Sequence, residues 1–161
     1  MGEILSKTWK TIEGKKVTDA IPVIKEALAD NHEIHIGCDS QQNAHFTEYV
    51  TVIAILNRGH GGRALYFTER VPRIKSLRER LLKEVWSSVA VALEVTEVIG
   101  DASKLQVHVD VNPNTKFRSS DYIKELTSMV VSQGFQCLVK PDAFIASHLA
   151  DHVVKYKVIG R

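Results

Sequence analysis

Apolar and polar positions along the chain alternate in two periods, and the switches between them mark out the elements. Thr18 reads as a helix N-cap, followed at helical spacing by Ile21, Ile24, Leu28 and Ala29, with Asp30-Asn31 ending the turn. From Glu33 the period drops to two. Ile34, Ile36 and Cys38 fall on one face of a strand, and His35, Gly37 and Asp39 on the other. Phe46 to Leu56 is β-branched and aromatic, a long second strand. The glycine-rich run Asn57 to Gly62 turns the chain back into a third strand, Arg63 to Val71, which Pro72 stops.

The helical period then returns from about Ile74 to Val98. Leu77, Leu81, Val85, Val89 and Leu93 form one apolar stripe with Trp86 alongside, and Gly100 closes the helix. Leu105 to Val111 is a fourth strand, with His108 and Asp110 on the face opposite Val107 and Val109. Ser120 caps a helix to about Ser132, and Phe135 to Val139 is a short fifth strand. Pro141-Asp142 opens a last helix to about Lys155. Three strands joined by short turns are expected to be antiparallel. The two that arrive through helices are expected to run parallel to a neighbour. The fold class is therefore α/β: a five-stranded mixed sheet flanked by helices, with an extra N-terminal helix.

The chain has 161 residues, 44% hydrophobic and 25% charged, which fits one soluble domain spanning residues 1–161. The net charge of +2 neither demands nor excludes a polyanionic partner, so the distribution of charge decides. The basic residues concentrate in Arg70, Arg73, Lys75, Arg78, Arg80 and Lys83, where Glu79 is the only acid. A solvated helix face would look the same, yet this density leans towards a phosphate-binding surface, to which Lys116 and Arg118 would add. Cys38 and Cys137 lie in apolar runs and read as small core residues. The opening residues hold no apolar run of a secretory signal, and no stretch is long enough to span a membrane. The expectation is a reducing, cytoplasmic setting.

Asp39 and Asp110 both stand at the ends of apolar strands, where ligands of open α/β sheets sit. Singly, each also fits a cap of the following turn. As a pair on neighbouring strands they favour a cation, because two carboxylates brought together need one. On the last helix Phe144, His148, Asp151 and His152 share one side, so Asp151 can join them, although a solvated polar face has the same pattern. Glu84 borders the apolar stripe of the long helix and Glu79 its other edge. Glu84 is the narrowly favoured fourth carboxylate. The chain lacks the Lys-Ser/Thr of a P-loop, Cys-x-x-Cys, His-Glu-x-x-His and G-x-S-x-G. A phospho-aspartate on Asp39 would need a second Asp two residues on, where Gln41 stands.

Four segments carry a resemblance: Ile34 to Gln41 (IHIGCDSQ), Leu77 to Glu84 (LRERLLKE), Val107 to Asn114 (VHVDVNPN) and Lys140 to Lys155 (KPDAFIASHLADHVVK). Together they resemble the ribonuclease H-like family that includes the bacterial YkuK proteins. The resemblance implies strand order 3-2-1-4-5, and carboxylates at Asp39, Glu84, Asp110 and Asp151 holding Mg²⁺ or Mn²⁺. It implies a metal-dependent nuclease in which paired ions about 4 Å apart flank the scissile phosphate of RNA, DNA or a hybrid. Asp39 would bridge the ions, Asp110 hold one, and Asp151 with Glu84 the other, with His148 or His152 shuttling a proton. The alternative is a non-catalytic module of the same fold that binds nucleic acid or a protein. Its motive is that Ser40 and Gln41, not further acids, follow Asp39.

Overall fold

A computed structural model describes residues 3–57, 59–111, 114 and 116–139. Seven strands form one mixed sheet: β1 (Trp9–Thr11), β2 (Lys16–Val17), β3 (Glu33–Gln42), β4 (Phe46–Asn57), β5 (Gly61–Pro72), β6 (Leu105–Val109) and β7 (Gln136–Val139). The order across it is β2-β1-β5-β4-β3-β6-β7. The five expected strands are β3 to β7, and they lie in the expected order. The expectation of five is corrected to seven, because the segment before the first helix adds an edge hairpin. β1 pairs with β5 (Lys10 opposite Tyr66) and β2 with β1 (Lys10 opposite Lys16).

The core of the sheet follows from residue chemistry. β3 and β4 pair antiparallel over ten residues, Glu33 opposite Leu56 through Gln42 opposite Thr47. β6 joins β3 in parallel, with Ile36 opposite Val107. The period of two divides the sheet into faces. One carries Ile34, Ile36, Ile53, Ile55, Leu65 and Val107 into the main core, and the other carries Val50, Val52 and Ala64.

Helix α1 (Ile21–Ala29) and helix α2 (Leu77–Ile99) pack into the main core. For α1 the expected Thr18 cap is replaced by Ala20, which makes no side-chain bond, while the Asp19 carboxylate accepts from the Ile21 N–H at 3.0 Å. Pro22 in the first turn has no N–H to satisfy there. Ser76 caps α2 by accepting from the Glu79 N–H, and Gly100 ends it at φ +74°. The predicted stripe of α2 bends. Leu81, Val85 and Val89 are buried, but Leu93 and Trp86 are exposed, and Ala92 and Val95 take over. Steps of four residues drift about 40° each around a helix of 3.6 residues per turn, so four steps carry Leu93 off the face.

The expected Ser120 cap is also corrected. A 3₁₀ turn at Arg118–Tyr122 leads into α3 (Ile123–Val131), and the Ser120 hydroxyl donates to the Phe117 carbonyl. The expected last helix lies outside the described residues. No helix among the described residues is long and apolar enough to cross a membrane.

Candidate active site

Asp39 is the seventh residue of β3, the strand flanked by β4 on one side and β6 on the other. Asp110 follows directly on β6. Asp39 lies three residues beyond Ile36, and Asp110 three beyond Val107, the last parallel pair. The two aspartates therefore occupy matching positions at the ends of adjacent parallel strands, with side chains on the same face by alternation.

Glu84 arrives from α2. Positions 81, 84, 85 and 88 share one side of a helix, and all four are buried, so the apolar side that seats α2 carries Glu84 inward with Leu81, Val85 and Ser88. The residue is only 5% exposed. Ser40 ties it to the strand: the Ser40 hydroxyl donates to Glu84 Oε2 at 2.5 Å, while the Ser40 N–H donates to Asp39 Oδ1 at 2.8 Å. Burial pushes the Glu84 carboxyl well above the usual carboxylate range, and the charges of Asp39 and Asp110 push it further. The Ser40 bond and the Arg80 guanidinium act against this rise. Glu84 thus feels the charge of two acids distant from it along the chain. Glu79 sits at the exposed start of α2, with its N–H held by Ser76.

Around these acids the structure assembles residues that sequence alone did not mark. Arg80 stands one turn before Glu84. The Gln42 amide is assigned so that its nitrogen donates to the Ile74 carbonyl and to Thr47 Oγ1. Its oxygen then accepts from Arg80 Nη1 at 3.0 Å. Tyr49, 2% exposed and opposite Ser40 across the β3–β4 ladder, has its phenol pushed up by burial and by Glu84. Ser40 was legible only as a missing acid. The clue to its role is parity, since Ser40 shares the α2-facing side of β3 with Ile36 and Cys38. Burial raises the Cys38 thiol strongly and Glu84 adds to the rise, outweighing the opposing hydrogen bond that Thr51 Oγ1 donates to its sulfur at 3.5 Å, so the thiol is held neutral and inert. Both Cys38 and Cys137 are free.

The basic stretch is less open than the sequence implies. Arg70 Nε pairs with Glu48 at 2.6 Å and stacks on Phe46. Arg78 forms a two-pronged pair with Glu125, and Lys83 pairs with Glu69 at 2.8 Å. Arg73 donates to the Asn43 carbonyl, while Lys75, Lys116 and Arg118 are exposed. The compensating acids come from β4, β5 and α3, which is why a count along residues 70–83 misses them. Asp151, His148 and His152 lie outside the described residues. Among the described residues, no three His, Cys, Asp or Glu side chains stand close enough together to hold an ion.

A mixed sheet with its antiparallel strands first, helical crossovers after, and acids at the ends of two adjacent parallel strands defines the ribonuclease H-like class. Residues 16–155 match the family described as Ribonuclease H-like, and the chain belongs to that family. A relative from Bacillus subtilis (strain 168), named uncharacterized protein YkuK, is 26% identical over 138 residues, covering 78% of this chain and 80% of its own. Among solved structures, RNase H1 from the halophilic archaeon Halobacterium salinarum NRC-1 superposes with a TM-score of 0.43 at 13% identity, over 76% of this chain and 98% of its own.

Proposed function

We propose that this protein is a metal-dependent nuclease that hydrolyses phosphodiester bonds, with Asp39, Glu84 and Asp110 as its described carboxylates. The observation that carries this reading is geometric: Asp39 and Asp110 stand at matching positions on the ends of adjacent parallel strands, and the buried Glu84 is tied to the neighbouring Ser40 by its hydroxyl. Such a cluster is stabilised by a cation at its centre. Hard oxygen donors of this kind suit Mg²⁺ or Mn²⁺, which keep several of their waters. Since no three such side chains among the described residues stand close enough to hold an ion as they are, Asp39, Glu84 and Asp110 would have to draw together around it, with Asp151 as a further donor. When bound, the ion supplies a water acidic enough to attack phosphorus at neutral pH and charge to offset the leaving oxygen.

The chain's own residues do the positioning. Ser40 orients Glu84 by donating to it and Asp39 by its N–H. Arg80, fixed by Gln42, offsets the charge of Glu84 when no cation is present. Lys75, Lys116 and Arg118 are exposed on the sequence segments that flank Glu84 and Asp110, where they can meet phosphate oxygens without reading sequence.

The test is a panel of labelled RNA, DNA, RNA–DNA hybrid and branched junction incubated with Mg²⁺ and with Mn²⁺. Cleavage of at least one substrate is expected, lost in Asp39→Asn and in Asp110→Asn. An intact panel under both metals sinks the nuclease. The reading of a non-catalytic binding module draws on one observation, that a serine, not an acid, bridges Asp39 and Glu84. Binding that is equal in wild type and Asp39→Asn, with turnover in neither, selects that module.

A further inference from the structure

The edge hairpin β1–β2 takes no part in the carboxylate site, yet it holds the most concentrated uncompensated charge among the described residues. Lys7, Lys10, Lys15 and Lys16 are all exposed. Between positions 7 and 17 the only acid is Glu13, at the turn. Among the described residues none of these four lysines enters an ion pair, whereas Arg70, Arg78 and Lys83 of the longer basic stretch all do. Lys10 and Lys16 stand directly opposite each other. Like charges in that position destabilise a strand pair, so the hairpin carries them at a cost to its own pairing.

The turn between the two strands is also fixed. The turn is closed by the Gly14 N–H donating to the Thr11 carbonyl and by the Lys15 N–H donating to Thr11 Oγ1 at 3.1 Å. β1 covers β5 only as far as Tyr66. Where it stops, a cavity of about 280 Å³ opens between Lys7, Thr8 and Lys10 on one side and the segment Tyr66 to Glu69 on the other. Ammonium groups, threonine hydroxyls and aromatic rings together suit a sugar–phosphate chain carrying bases.

We propose that the β1–β2 hairpin, through Lys7, Lys10, Lys15 and Lys16, docks the phosphate backbone of a nucleic acid. The nature of the polyanion rests on the nuclease reading above. Lys10 is three strand spacings from β3, roughly 14 Å across the sheet. That is about four nucleotide steps of 3.4 Å along one strand. A substrate engaged at Asp39 therefore has enough length to reach the hairpin.

The experiment measures anisotropy of a labelled RNA–DNA hybrid with the full chain, in chelator, across a salt series. In Lys10→Ala/Lys15→Ala/Lys16→Ala the affinity is expected to fall and the salt slope to become shallower by about 0.9 for each phosphate no longer neutralised. Lys16→Glu is the folding control: it turns a repulsive cross-strand pair into an attractive one, so its Tm is expected to hold or rise while binding weakens. Unchanged affinity and slope in the triple variant overturn the proposal. So does a polyglutamate peptide that binds the hairpin as tightly as the hybrid. Lysine-dependent binding without turnover in Mg²⁺ removes the nuclease and keeps the hairpin; turnover with lysine-independent binding does the reverse.

Discussion

Single residues at the site are set by what surrounds them more than by their own type. Glu84 could have been a surface glutamate on a long charged helix; burial beside Asp39 and Asp110 makes it a strained acid instead. Its folded-state affinity for protons is raised, so the folded chain holds a proton that the unfolded chain releases. That contribution is complete below the ordinary carboxylate range and is lost as pH rises through the elevated value. Glu84→Gln is therefore expected to raise metal-free stability at neutral pH, with the gap to wild type closing as pH falls below the ordinary range. Urea titrations at several pH values read this directly, and a gap that widens on acidification would contradict it. His108 behaves oppositely. Burial and neighbouring His35, whose Nδ1 lies 2.7 Å from His108 Nε2, lower it to about 4, so stability is lost as pH falls from about 6.5 towards 4.

Elements announce themselves when they are long enough to repeat. The ten- and twelve-residue strands β3, β4 and β5 and the helix α2 each show several cycles of their period, so the sequence reveals them, while their order across the sheet comes from the family resemblance. β1 and β2, at three and two residues, show less than two cycles, and WKT and KV carry no alternation to read. Their strand state comes from the partner edge of β5. Asp39 and Asp110 were visible because strand-end acids stand out locally. The pairing of the basic residues was not, because Glu48, Glu69 and Glu125 reach them only in three dimensions. The β4–β5 hairpin offers an element-level test. A Cβ at Gly62 would stand 2.6 Å from the Ile55 carbonyl oxygen and 2.8 Å from Leu56 Cδ2. Gly62→Ala is expected to cost about 1–3 kcal/mol and to speed amide exchange in this hairpin. Unaltered exchange would show that the ladder gives way freely there.

Across the whole molecule, the segment before α1 is packed into the domain. Leu5 and Trp9 are fully buried. The Glu94 carboxylate of α2 accepts from the Ile4 and Leu5 N–H groups at 2.9 and 3.0 Å. Trp9 Nε1 donates to the Ile4 carbonyl, and its ring meets Phe67 edge-on at 4.7 Å. Trp9→Ala is expected to cost about 3–5 kcal/mol in denaturant unfolding, as for other large core truncations. A loss under about 1 kcal/mol, far below the usual range, would mean that the hairpin is not anchored by this ring.

The parallel pairing of β3 with β6 joins Ile36 to Val107, so the chain must first lay down β4, β5 and α2 between them. Closing so long a loop is entropically slow, whereas the β4–β5 turn closes locally. During synthesis Asp39 emerges well before its counterpart Asp110, and an incomplete chain holds no pair of them. The paired arrangement of these acids is thereby withheld from the nascent polypeptide until the sixth strand has found its place.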